Sequence, residues 1–422
     1  MKARLWLLCS IAAVAISWCY MHRVLLPWEH SVNIEFVHLR AQMEDLYPRW
    51  AGTRALLLDG KNPYGPEVTH EIQMSFYGHD VQQDYRPGVP TIDEQRFAYP
   101  IYVVFLLSPT VHMQFETLQA VAPAFLAVAV AGSVLLWMSV LRWQRPLIIT
   151  AALILFLLAS PQIVQGLRLR QLGLLVAFLI ALGTWLVVKG RLVSAGAIFA
   201  IATIKPQMVV LPLAWFLFWV IGDFRARWRF FASFFVSMTL LAGAGEWLLP
   251  GWIMDFLRGM AAYRKYGPVK TLMQLVLGHW LGTLLGILIV VCVLFYGWTT
   301  RKVDAESSEF SQVMCAFIVG ALVALPLMAQ FNQALMIPAV VLLVGDWETL
   351  PKAARIVFFA FVSWPWVIAL ALMAVPMHLD PHNHLPLLPS TLVLFFPFLL
   401  PVLLITRRSD VSMLVRNGFA HN

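Results

Sequence analysis

The sequence predicts an all-α polytopic membrane protein. About twelve transmembrane helices are expected, with a long outer first loop that carries juxtamembrane helices. Three observations predict this. The 422 residues are 60% hydrophobic and only 12% charged, a composition that no water-soluble domain has. Long apolar runs recur along the chain without the alternation of barrel strands. Backbone groups in lipid must be satisfied within the segment, so these runs are helices. The formal net charge is +8, but the bases fall in short clusters between apolar runs. That suits a membrane with anionic lipids and excludes a nucleic-acid surface.

Taken in order, Lys2 and Arg4 precede an apolar run from Leu5 to Pro27. It is longer than a signal core and no small-residue cleavage site follows, so it reads as an uncleaved first span. Residues 28–96 are polar. Within them, Leu46 to Leu58 reads as a short helix with Asp45 at its N-cap and Pro48 in its first turn. Gly60 and Asn62-Pro63 end it. Residues 97–113 are apolar but too short for a span in this topology, and are expected to dip into the outer leaflet as a helix.

Spans are expected at 117–141, 147–165 and 171–188. Two short segments, 192–204 and 207–221, are broken at Lys205-Pro206. A span at 230–249 leads to an amphipathic stretch at 252–266, whose Ile253, Phe256, Leu257 and Met260 share one face. Then follow 273–299, a pair at 310–328 and 333–345 broken around Gln330 to Gln333, and spans at 355–376 and 386–406.

Loop charge orients this threading. Arg142 and Arg145, Lys189 and Arg191, Arg225, Arg227 and Arg229, Arg301 and Lys302, Lys352 and Arg355, and Arg407 and Arg408 all fall in loops on one side. That side is the inner one by the positive-inside rule, which puts both termini inside. Bases on the outer side then need another explanation, and an anionic ligand supplies it. Cys9, Cys19, Cys292 and Cys315 lie within expected spans, so no disulfide framework is read.

Asp45 is the first chemical candidate: a carboxylate just outside the membrane can take a proton from an acceptor hydroxyl. Capping its helix is the alternative use. Glu44 beside it can bind acceptor hydroxyls or belong simply to the loop. Arg168 and Arg170, with Gln171, suit a phosphate, because guanidinium binds it as a fork; snorkelling to headgroups is the competing role. Lys205 sits at a break between two short apolar segments, far from the basic inner side, and is the strongest sign of a cavity.

Arg264, Lys265, Tyr266 and Lys270 meet headgroups or a lipid phosphate. Gln274, His279, Asn332 and Gln333 lie at a depth where polar groups face protein or a cavity, and serve a sugar or the helix bundle. His378, Asp380, His382, Asn383 and His384 lack a metal-ligand spacing and read as a solvated turn. No metal and no cofactor are expected. No phosphate-binding loop is present either. A sugar donor used on the outer face, where nucleotide sugars are scarce, is therefore expected to be lipid-linked.

These residues resemble glycosyltransferase family 87, within the GT-C polytopic glycosyltransferases. Asp45-Leu46-Tyr47 opens an outer-loop helix as in that family. Arg54 through Tyr64 is similar to a family stretch that ends in Gly-x-x-Pro-Tyr. Phe97-Ala98-Tyr99-Pro100 is similar to its Tyr-Pro-Pro start of a juxtamembrane helix, with Ile101 in place of the second proline. Arg170-Gln171 stands where the family usually has Gly-Gln. Lys189-Gly190-Arg191, Ala195-Gly196 and Ile204-Lys205-Pro206 resemble its Arg-Gly-Arg, Ala-Gly and Lys-Pro run. Gln330 to Gln333 departs from the histidine-containing stretch of many members. The likeness covers roughly residues 1–345.

The resemblance implies a GT-C-like fold over 1–422, with an outer catalytic loop at 28–113 and a cytoplasmic tail at 407–422. It implies an inverting hexosyltransferase of the inner (plasma) membrane, with mannose as the expected sugar. The donor would be a polyprenyl-phosphate sugar and the acceptor an envelope lipid or glycan on the outer face. Asp45 would be the base, and Lys205 with the arginines would hold the donor phosphate. Tyr47, Arg54, Tyr64 and Tyr99, inside the matching motifs, are further candidates for substrate contact. The rival reading is a transporter or flippase of lipid-linked sugars, working at the two breaks.

Overall fold

The computed structural model describes residues 2–27, 44–80, 94–263, 270–327, 329–348 and 350–374, all helix, turn or irregular chain with no strand. The expected span at 386–406, the tail, and Arg264, Lys265, Tyr266 and the group from His378 to His384 lie outside the described residues.

α1 (Lys2–Tyr20) runs on through a wider turn at Met21–Leu25. The outer loop supplies α2 (Tyr47–Asp59), α3 (Pro66–Tyr77) and the short α4 (Val103–Leu107). Then come α5 (Phe115–Val140), α6 (Leu147–Leu158), α7 (Pro161–Arg168), α8 (Leu172–Val188), α9 (Leu192–Ala202) and α10 (Pro206–Gly222). Next are α11 (Phe224–Leu248), α12 (Trp252–Tyr263), α13 (Leu272–Leu277), α14 (His279–Thr300) and α15 (Ser308–Ala324). A 3-10 turn at Gln330–Met336 leads into α16 (Ile337–Gly345), and α17 (Lys352–Ala374) closes the described chain.

Among the described residues, five helices are long and apolar enough to cross a membrane: Arg4–Val24, α5, α11, α14 and α17. The α6–α7 pair, bent by 65°, makes six. Five shorter apolar segments remain, among them α8, α9, α10 and α15. Among the described residues, length and composition therefore account for up to six of the expected spans of about twelve. A 17-residue helix is only about 26 Å long, less than a bilayer core of about 30 Å.

Burial explains the division. α8 and α15 are buried on nearly every side, as helices apolar all round must be when they form a protein core. α11 and α14 instead expose Leu240, Trp247, Trp280, Leu284 and Phe295, the surface a helix offers to lipid.

Several elements depart from expectation, each for a local reason. α2 begins at Tyr47, Leu46 occupies the cap position, and no side chain caps it; Asp45 is not the N-cap. Pro48 does fall in the first turn, and Gly60 ends the helix with φ 66°. Residues 97–113 do not form one helix in the leaflet. Pro100 and Pro109 interrupt the run, only Val103–Leu107 and a 3-10 turn at Ser108–Thr110 are helical, and Phe97, Ile101, Val103 and Val104 are completely buried in protein. The run at 147–165 bends at Ser160-Pro161, and 273–299 divides at Gly278, whose φ is 79°. In α12 the expected apolar face is split. Ile253 and Leu257 are exposed, while Phe256 and Met260 turn inward beside Trp252 and Gly259.

Candidate active site

α2 is clamped before its first residues reach the site. Tyr47 packs edge-on against Phe76 and Phe115, and its hydroxyl donates to Ser75 Oγ at 2.9 Å. Trp50 Nε1 donates to the Thr110 carbonyl at 3.0 Å. Arg54 donates to the Val111 carbonyl at 3.2 Å and lies over the Trp50 ring. Gly52 lets the Phe97 ring close on the helix; a Cβ there would stand 2.4 Å from it. Glu44 and Asp45, on the turn entering α2, are thereby held against the bundle.

The bundle offers them two breaks. At the first, the α7–α8 turn, Arg170 has φ 49°, a left-handed conformation that glycine adopts without strain. Its guanidinium pairs with Glu44 Oε1 and donates to the carbonyls of Arg168 and, at 3.1 Å, Gln119. Gln171, next in the chain and buried, donates through Nε2 to Asp45 Oδ2. The second break, between α9 and α10, carries Lys205. It is only 6% exposed, donates to Asn332 Oδ1 at 3.0 Å and Gln171 Oε1 at 3.4 Å, and lies over the Phe331 ring. Tyr102 ties the outer loop to this break by donating to the Thr203 carbonyl at 3.0 Å.

The result is one connected cluster: Glu44, Asp45, Arg170, Gln171, Lys205 and Asn332. Sequence reasoning named all six, and joined only Arg170 with Gln171 and, through the family resemblance, Lys205 with the arginines. It missed three neighbours. Arg49 donates to the Asp45 carbonyl at 2.6 Å and covers the Tyr99 ring at 4.9 Å. It lies four positions after Asp45, so the i, i+4 spacing of one helical turn was the available signal. Gly173 makes room for Lys205, because a Cβ there would lie 3.0 Å from Nζ. Phe331 gives the ammonium an aromatic face.

Electrostatics link the same groups. Burial pushes the Tyr99 hydroxyl pKa up, Arg49 opposes that and Asp45 adds to it. Burial and then Arg49 disfavour the Lys205 ammonium, while Asp45 favours it.

The other candidates lie elsewhere. Tyr47 and Arg54 hold α2 in place. Tyr64 donates to the Tyr99 carbonyl at 2.7 Å and packs on Phe97 and Phe256. Arg168 ends α7, with its Nε buried. Gln333, next to Asn332, lines a small, largely apolar pocket of about 30 Å³ with Gln162, Met336 and Trp366. Gln274 forms a capping box with Thr271. His279 is exposed beside Trp280, and Lys270 is exposed.

Chemically, the cluster offers a carboxylate aligned by an amide next to buried cations. That arrangement can accept a proton at one point and neutralise a developing anion at another. The model of glycosyltransferase family 87 matches residues 97–326, more than half of the 422-residue chain. The match takes in Arg170, Gln171 and Lys205 and does not reach Asp45 or Asn332. No curated protein and no solved structure matches the chain.

Proposed function

The chain belongs to glycosyltransferase family 87, a multi-pass membrane glycosyltransferase with a sugar donor and an acceptor, and on that premise we propose that it is an inverting hexosyltransferase using a polyprenyl-phosphate donor. Mannose is the sugar, and an envelope lipid or glycan hydroxyl is the acceptor. Asp45 removes the acceptor proton as that oxygen attacks the anomeric carbon. The bond to the lipid phosphate breaks with its electron pair on the phosphate oxygen, and Lys205 stabilises that charge. Arg170 holds Glu44 and the acidic turn in place.

The observation that carries the proposal is the contact of the Asp45 carboxylate with Gln171, whose other end meets Lys205. Base and phosphate site are thus adjacent and distinct. The basic loops support an active site on the outer face of the inner membrane and cytoplasmic termini. The short helices, of which α8 and α15 are buried on nearly every side, complete about twelve crossings. A cysteine placed at Lys61 should react with an impermeant reagent in intact cells; reaction only after permeabilisation would reverse the orientation.

The test of function is transfer by purified protein in lipid vesicles. Radiolabelled polyprenyl-phosphate mannose is supplied with host envelope lipids and glycans. Asp45→Asn should lower transfer on the order of a hundredfold or more while the protein stays folded. Equal transfer by both proteins would remove Asp45 as the base.

A further inference from the structure

We propose that Arg49, with Lys205, forms the pair of cations that binds the lipid phosphate, and that Arg170 does not contact it. The inference rests on the polyprenyl-phosphate reading and concerns the residues that hold that phosphate.

The argument begins with which cations are already engaged. Arg170 is committed to Glu44 and to two carbonyls. Its charge cancels that of Glu44 within a buried pair. Arg49 is held by a backbone carbonyl and by Tyr99, with no carboxylate ion pair among the described residues. Its Nη1 donates to the Asp45 carbonyl and its plane rests on Tyr99. Its Nε is buried and makes no hydrogen bond among the described residues. A buried guanidinium nitrogen left without an acceptor is costly. Tyr99 beneath and the carbonyl beside it keep the fork from turning away.

Lys205 is the second unusual cation. It occupies the cap position of α10, where the helix dipole already places partial positive charge. Its partners are two neutral amide oxygens and an aromatic face. Arg49 acts on it electrostatically as a like charge. Two cations brought together in a buried site need an anion between them.

Charge balance indicates which anion. With Glu44 and Arg170 cancelled, one carboxylate, Asp45, faces two cations. The empty site therefore carries a single positive charge, which matches a phosphodiester such as a lipid-phosphate sugar. Transfer then moves one proton from the acceptor hydroxyl to Asp45. The bond between the anomeric carbon and the phosphate oxygen breaks, and the leaving monoester takes a second negative charge. Asp45 is now neutral, so the two cations face a dianion. The site is balanced before and after the reaction, as preorganised electrostatic stabilisation requires.

The test uses farnesyl phosphate and the uncharged alcohol farnesol as probes, titrated into purified full-length protein in lipid nanodiscs. Wild type should bind the phosphate more tightly than the alcohol. Arg49→Gln and Lys205→Gln should each weaken the phosphate on the order of ten- to a hundredfold and leave farnesol unchanged. Arg49→Lys, which keeps the charge but not the fork, should recover part of the loss. Arg49→Gln binding farnesyl phosphate as wild type does, or losing both probes equally, would overturn the assignment of Arg49. Wild type that does not distinguish phosphate from alcohol would overturn the lipid-phosphate reading itself, and that result involves no variant.

Discussion

The Gln171 side-chain amide donates to the Asp45 carboxylate across 126 positions of sequence. Its carbonyl end faces Lys205, so one neutral group separates an anion from a cation that would otherwise pair directly. Gln171→Glu replaces the donor with a second carboxylate. Two carboxylates in contact cannot both ionise easily, so one pKa rises. Asp45 would then stay protonated to a higher pH, and transfer should fall on the acid side of the profile, by about tenfold for each unit of that rise at pH values well below the new pKa. The pH profile of kcat/KM should move its ascending limb upward; an unmoved limb would detach Gln171 from the base.

Gly173→Ala separates helix stability from site function. Alanine in place of glycine favours a helix by about 1 kcal/mol, so the melting temperature should hold or rise. The added Cβ would stand 3.0 Å from Lys205 Nζ and displace the ammonium by a few tenths of an ångström. KM for the donor should rise several-fold. Lower thermal stability with unchanged KM would contradict this.

Arg170→Gly sets two effects against each other. Relief of the left-handed backbone stabilises by roughly 1–2 kcal/mol. Breaking the pair with buried Glu44 costs roughly 3–5 kcal/mol, because a carboxylate is left unpaired. Loss should win, and the variant should be less stable than wild type. Adding Glu44→Gln should restore most of the stability, as a double-mutant cycle in unfolding would show. Purely additive effects would mean that the pair contributes nothing.

Lys205 gives the phosphate site a pH dependence. Burial, then Arg49, lower its pKa to about 7, with Asp45 opposing. The ammonium is therefore complete below that pH and is lost as pH rises through it in the empty site. Farnesyl phosphate affinity should fall from pH 6 to 8.5 in wild type and change less in Lys205→Gln. A bound phosphate favours the ammonium, so the transition should lie higher in the complex. Identical profiles in the two proteins would remove Lys205 from the site.

Much of the bundle was legible because its signals are local. Apolar runs, the Lys205-Pro206 break, Pro48 in the first turn of α2 and Gly60 at its end all follow from neighbouring residues. The same locality misled at Asp45. An acid before a helix has the chemistry of an N-cap, and no local feature shows that Leu46 takes the cap position while the carboxylate reaches Gln171. Residues 97–113 misled similarly, since an apolar run reads alike whether it faces lipid or lies under α2. Arg49 was within reach of helical periodicity. Gly173 was not, because its role is a distance to Lys205.

By itself, then, the amino-acid order determined the membrane class, the polarity of the loops and the residues with chemistry to offer, since hydropathy, loop charge and residue type are properties of short stretches. Only the tertiary structure decided which of those residues meet. Lys205 lies 34 positions from Gln171 and 127 from Asn332. Whether they touch depends on how α8, two helix breaks and the turn before α2 pack, and packing is settled by the whole chain.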